Sequence, residues 1–225
     1  MNRNLTHRVL YFIALTLVIV GVEADLPWLN YIFKPLLIPI LWNYLREHAD
    51  ENTRVFRALQ AALFFSWLGD VTLMLGNDFF LMGLGCFFLA RLSYTVIFSR
   101  QGSPTLKMYQ RALIALPFLG YLGFLLRLIL PVLASRPDAG ALRAPIIFYG
   151  IMITAMGVTA IWRTVKPRIA YTWIAIGAVF FIASDSLLAY DRFVSELPAA
   201  GLGVILTYGV AQFGIVHGSK FYLKH

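Results

Sequence analysis

The chain has 225 residues, of which 60% are hydrophobic and 13% charged, against about 25% charged in a soluble domain. So few polar side chains cannot cover a water-facing surface of this size, which excludes an ordinary soluble domain. The formal charge of +8 is scattered through short loops, without the basic stripe or aromatic platform that a nucleic-acid partner requires.

The first apolar run, 9–24, follows Arg3 and Arg8 as a signal peptide would. It is long for such a leader and lacks a clear small-residue cleavage site, so it reads as a retained helix. Only Glu23–Leu26 separates it from the second run, 27–44, which carries Lys34. The third, 55–75, contains Asp70, and Gly76–Asp78 turns the chain into the fourth, 79–98, with Cys86, Arg91, Tyr94 and Thr95. Cys86 is the sole cysteine, so no internal disulfide can form. The fifth run, 111–133, includes Arg127, and the sixth, 145–162, is free of charge. The seventh, 170–190, holds Ser184 and Asp185; the eighth, 199–217, places Tyr208 and Gln212 one helical turn apart and leads into Gly214-x-x-x-Gly218. Each run is close to the ~20 residues that cross the hydrocarbon core as a helix, whereas barrel strands are ~10 residues with strict alternation. The expected fold is all-α: a polytopic, multi-pass integral membrane protein whose residues 1–225 form one eight-helix transmembrane bundle. The bilayer is then its principal surroundings, a cell membrane if the source is prokaryotic, and no oligomeric state follows from the pattern.

Orientation follows from the basic residues. With eight spans, the side of the N-terminus holds Arg3, Arg8, Arg46, Arg54, Arg57, Arg100, Lys107, Arg111, Arg163, Lys166, Arg168, Lys220 and Lys224. The opposite side holds only Arg136, Arg143 and Arg192. Short loops rich in Lys and Arg stay in the cytoplasm, so both termini are expected there, N-in and C-in.

Lys34, Asp70, Arg91, Arg127 and Asp185 fall within the runs. Each costs about 2.5–3.5 kcal/mol at mid-bilayer, and such residues usually face the bundle interior, pair with one another and mark a functional site. Arg127, near the outer end of its run, also suits a side chain that snorkels to the interface. At a rise of ~1.5 Å per residue, Lys34, Asp70 and Asp185 share a layer roughly 7–11 Å below the outer boundary. The segment Phe65–Leu73 weakly echoes Phe180–Leu188, with Phe, a small residue, Asp and Leu in register. A plain structural network of two Asp and one Lys fits the same pattern. Tyr208 and Gln212 fit either a pocket wall or glue between helices.

No His, Cys and Glu share metal-ligand spacing, and His7, His48, His217 and His225 lie at span ends or in loops. No metal or other cofactor is expected. There is also no Gly-x-Ser-x-Gly elbow and no phosphate-binding glycine loop.

Lys34-Pro35, Gly69-Asp70 with Leu73-Met74, Ser184-Asp185 with Leu188-Ala189, and Tyr208 with Gln212 occur in the second, third, seventh and eighth runs. In this order and spacing the chain resembles, over nearly its whole length, the YhhN family, which contains the lysoplasmalogenases. Arg91 is a departure, since the resemblance leads one to expect a His near that point. The resemblance implies hydrolysis of the vinyl ether bond of a lysophospholipid with one alkenyl chain, carrying ethanolamine or choline, to a fatty aldehyde and a glycerophospho-base. It implies Asp70, Asp185 and Lys34 as the catalytic set, and Arg91, Tyr94, Ser184, Tyr208 and Gln212 as substrate-binding. Vinyl ethers hydrolyse by protonation of the distal alkene carbon to an oxocarbenium ion, and two carboxylates in different environments suit such a cation. The same buried Asp pair would serve a proton-coupled transporter or lipid flippase, and a structural or lipid-sensing protein is the third reading.

Overall fold

A computed structural model describes residues 3–47, 53–100, 106–163 and 168–223. His48, Lys166, Lys224 and His225 therefore lie outside the described residues. Eight long helices run in order: α1 (Arg3–Glu23), α2 (Pro27–Arg46), α3 (Arg54–Met74), α4 (Phe80–Arg100), α5 (Met108–Ala134), α6 (Ala139–Trp162), α7 (Arg168–Phe193) and α8 (Ala200–Leu223). Six of them are long and apolar enough to cross a membrane; α2 and α3 are not among the six, although they are 20 and 21 residues long.

Local chemistry sets the helix ends. Pro27 begins α2, where its missing N–H would have no partner anyway. Thr53 caps α3 by accepting from the Phe56 N–H at 3.1 Å. Between α3 and α4, Gly76 takes φ +119°, a conformation only glycine adopts without strain, and a single 3-10 turn follows. Most helices outrun the apolar stretches that announce them: α6 starts at Ala139 rather than 145, and α8 continues to Leu223 rather than 217. Hydropathy marks the hydrocarbon layer, while a helix carries on through polar residues into the interface.

One join is legible from the backbone. Pro39 has no N–H, so the carbonyl of Pro35, four residues earlier in α2, loses its intrahelical partner. Trp67 Nε1 of α3 donates to that oxygen at 3.0 Å. Close approach elsewhere depends on small residues. A Cβ on Gly177 of α7 would stand 2.8 Å from the Ala211 carbonyl of α8, and one on Gly218 would stand 2.8 Å from the Ala170 carbonyl. The Gly214-x-x-x-Gly218 pattern is thus a contact face for α7. Leu37, Leu63, Phe98, Phe181 and Ile215 are among the buried core side chains. Exposed Leu113, Leu116, Leu119 and Phe124 put one face of α5 outward, as lipid-facing side chains would be.

Candidate functional site

Two carboxylates lie inside the bundle, each held by a helix of the other half of the chain. Asp70 of α3 is 3% exposed. Tyr208 of α8 donates its hydroxyl to Asp70 Oδ2 at 2.5 Å, Gln212 Nε2 donates to the Tyr208 oxygen at 3.0 Å, and the Tyr94 hydroxyl of α4 donates to Gln212 Oε1 at 3.2 Å. The relay directs its donors at the carboxyl. Asp185 of α7 is 15% exposed and forms an ion pair with Arg91 of α4, whose NH2 nitrogen lies 3.2 Å from Oδ2. The Tyr149 hydroxyl of α6 donates to the same oxygen at 2.5 Å.

Arg91 links the two clusters. It is completely buried, and its guanidinium carbon lies 3.8 Å from the centre of the Phe181 ring and 5.6 Å from that of Phe87. Its charge acts on Asp70 as well as on Asp185. A guanidinium is suited to this place: its charge is permanent and its planar face stacks on rings. Its Nε and NH1 nitrogens have no hydrogen-bond partner among the described residues.

A cleft of about 750 Å3, counting its open mouth, is lined by α4, α5, α6 and α7. Its walls are apolar, including Leu84, Phe87, Leu125 and Ile146, and Asp185, Tyr149 and Ser186 supply polar groups within it. Arg192, two helical turns beyond Asp185, also lines it. Asp70 and its relay do not. Phe87 stands between, lining the cleft on one side and packing edge-on against Tyr208 with ring centres 6.2 Å apart on the other. Gly69 makes room for that ring, since a Cβ there would meet it at 2.9 Å.

Of the residues singled out from sequence, the bundle gathers Asp70, Asp185, Arg91, Tyr94, Tyr208 and Gln212. Lys34 is half-buried on α2. Its charge acts on Asp70, but among the described residues no hydrogen bond or ion pair involves it. The ion pair within the bundle is Arg91–Asp185: residues at one depth can still face different ways around the bundle. Ser184 also turns away from the cleft and donates to the Val204 carbonyl at 3.1 Å, fastening α7 to α8. Arg127 is exposed on α5. Tyr149 was missed; the only hint was a lone phenol in the apolar stretch Ile146–Ile153. His217 is buried, and its Nδ1 lies 2.6 Å from the Tyr44 hydroxyl, in a separate cluster with Lys220, which donates to Tyr44. Among the described residues, no three His, Cys, Asp or Glu side chains are placed to hold a metal ion.

The sequence profile of the YhhN family matches residues 29–219, a stretch that includes every residue of both carboxylate clusters. The chain is 30% identical over 203 residues to lysoplasmalogenase TMEM86B of Mus musculus, covering 87% of this chain and 77% of that protein. It is 31% identical over 194 residues to the TMEM86B of Rattus norvegicus, covering 85% and 73%. It is 30% identical over 172 residues to a lysoplasmalogenase of Mycobacterium tuberculosis, covering 73% and 61%. No solved structure matches the chain. With that coverage and that residue pattern, the chain belongs to the YhhN family.

Proposed function

We propose that this protein is a lysoplasmalogenase: a multi-pass membrane hydrolase that cleaves the vinyl ether of single-chain alkenyl glycerophospholipids. The observation that carries the reading is the pair of unlike carboxyls beside an apolar cleft. Asp185, paired with Arg91, presents a carboxylate to the cleft. Asp70 is enclosed and bonded to neutral Tyr208, and a protonated carboxyl is less costly to bury than a carboxylate. In this reading Asp70 is the proton donor. Tyr208 occupies Oδ2, which leaves Oδ1 to carry the proton.

The steps balance as follows. A proton adds to the distal alkene carbon, and the positive charge develops on the adjacent carbon and ether oxygen. The Asp185 carboxylate stabilises that cation and then takes a proton from the water that adds to it. As the hemiacetal collapses, Asp185 passes the proton it took from water to the departing glycerol oxygen. The hemiacetal hydroxyl proton is released to water and Asp70 is reprotonated, and the products are a fatty aldehyde and the glycerophospho-base. Phe87 must swing aside for Asp70 to reach the substrate. All eight helices span the bilayer as a single membrane domain with both termini in the cytoplasm, and the cleft opens toward the outer face.

The test is aldehyde release from 1-alkenyl lysophospholipids by the purified protein in detergent, repeated in D2O. The expected result is turnover with one deuteron on the carbon next to the aldehyde group, where the acid delivers it. A folded, monodisperse protein that releases no aldehyde from either the ethanolamine or the choline lipid would sink the hydrolase and favour transport or a structural role.

A further inference from the structure

The outer end of the cleft holds charges that the reaction scheme leaves unused. Arg192 lies seven residues after Asp185 on α7, so both project from nearly the same face, about 10.5 Å apart along the axis. Arg192 lines the apolar cleft and also a small polar cavity at its mouth, which it shares with Asn77, Asp78, Arg136 and Asp138. Its guanidinium carbon lies 3.9 Å from the centre of the Phe80 ring, and its NH1 donates to Asn77 Oδ1 at 3.2 Å. Both partners are neutral. Asp138 is already bonded by Arg136 Nε at 3.1 Å, and Arg136 NH1 donates to the Arg192 carbonyl at 3.3 Å, which seats a second guanidinium beside the first. Asp78, exposed on the same rim, has no hydrogen bond or ion pair among the described residues.

We propose that this mouth is a headgroup site for a zwitterionic phospho-amine, with Arg192 on the phosphate and Asp78 on the ammonium. The inference rests on the reading of the cleft as a lysolipid site. Geometry favours it. From the carbon that becomes cationic, the one set against Asp185, to phosphorus the substrate spans six bonds, or ~7 Å at about 1.2 Å of reach per bond in an extended chain. That falls short of the Asp185-to-Arg192 spacing, with the Arg side chain free to close the difference. A guanidinium held flat on a ring keeps its edge N–H groups for a tetrahedral oxyanion. A lipid held at this end places its vinyl ether beside Asp185. The site therefore sets the register of the reacting bond and prefers single-chain lipids with a phosphate over neutral ether lipids.

Binding of saturated ether analogues tests this, because they lack the alkene and cannot turn over. Three ligands are titrated into the intact protein in detergent: 1-O-alkyl-glycerophosphoethanolamine, 1-O-alkyl-glycerophosphate and 1-O-alkylglycerol. Arg192→Gln should weaken both phosphates by about 10-fold or more, as expected for losing a charge-assisted hydrogen bond, and leave alkylglycerol within about 2-fold of wild type. Arg192→Lys should retain most of the affinity, which separates lost charge from damaged packing. Asp78→Asn should weaken only the ethanolamine lipid. Equal loss on all three ligands, or no loss on the phosphates, overturns the phosphate site. An unchanged ethanolamine lipid in Asp78→Asn overturns the ammonium half. Aldehyde release from the alkenyl lipid is followed in parallel: selective binding without release sinks the hydrolase and leaves the headgroup site standing, and release without headgroup selectivity does the reverse.

Discussion

At the scale of single residues, the two carboxyls differ in what holds them, and their variants should differ accordingly. Asp70→Asn keeps the shape of the side chain and its bond to Tyr208 but cannot deliver a proton. Loss of a general acid typically costs 10²–10⁴-fold, so aldehyde release should fall by at least about 100-fold with little change in thermal unfolding. Asp185→Asn should lose activity to a similar degree and stability as well. It strips Arg91, which is wholly buried, of its only carboxylate partner among the described residues, and breaking a buried ion pair from one side costs about 3–5 kcal/mol. Arg91→Met added to Asp185→Asn should restore the unfolding temperature and leave activity lost. Full activity in either Asn variant would contradict the assignment. The sequence exposes Asp70, Asp185 and Arg91 because a charge within an apolar run is costly unless it turns inward and pairs. It leaves open which cation serves which carboxyl, because position along a helix gives depth but not the direction a side chain faces in the bundle. Tyr149 is silent in sequence because a phenol in an apolar run resembles any packed aromatic until its hydroxyl is seen 2.5 Å from Asp185.

At the scale of helices, apolar length reveals how many there are and roughly where, and small residues and prolines decide how they join. Pro35 and Pro39 would ordinarily argue against an unbroken helix, yet α2 runs from Pro27 to Arg46, and Trp67 supplies the donor that Pro39 denies the Pro35 carbonyl. Trp67→Phe retains most of the ring volume and leaves the Pro35 carbonyl without that partner. An unmet buried acceptor costs about 1–3 kcal/mol, so the variant should unfold at a lower temperature, and an unchanged melting curve would show that the bond contributes nothing. Gly177→Ala is the sharper case, since its Cβ would meet backbone atoms of α8 at 2.8 Å. Backbone cannot rotate out of the way as a side chain can, so α7 must shift from α8, at the 1–3 kcal/mol typical of overpacking. The sequence gives no comparable hint for Gly177, which stands in no small-x-x-x-small pattern that sets it apart. Only the facing helix shows why the position must be bare.

At the scale of the whole molecule, the close helix pairs repeat after a shift of four: α1–α2 as α5–α6, α2–α3 as α6–α7, α3–α4 as α7–α8, and α4–α6 as α8–α2. The pairs α1–α8 and α5–α7 have no such counterpart. The carboxylates follow the same exchange, with Asp70 of α3 held from α8 and Asp185 of α7 held from α4. The short Phe65–Leu73 echo of Phe180–Leu188 is thus matched by the packing around it. With all eight helices spanning, as proposed, a shift of four leaves corresponding helices pointing the same way and would put both carboxyls at a similar depth and near the same face. Which face that is depends on the charge asymmetry between loops. The mouth of the cleft, with Asn77, Arg136 and Arg192, lies on the side poor in Lys and Arg, which should be the outer one. Single cysteines in a Cys86→Ala background test this, and that background is quiet because Cys86 is buried. Gly140→Cys, at the exposed start of α6, should react with a membrane-impermeant maleimide in intact cells. Met108→Cys, at the exposed start of α5, should react only after permeabilisation. The reverse pattern would turn the molecule over and open the cleft to the cytoplasm, so that the substrate would enter from the inner leaflet, while the carboxylate geometry and the family assignment would be unaffected.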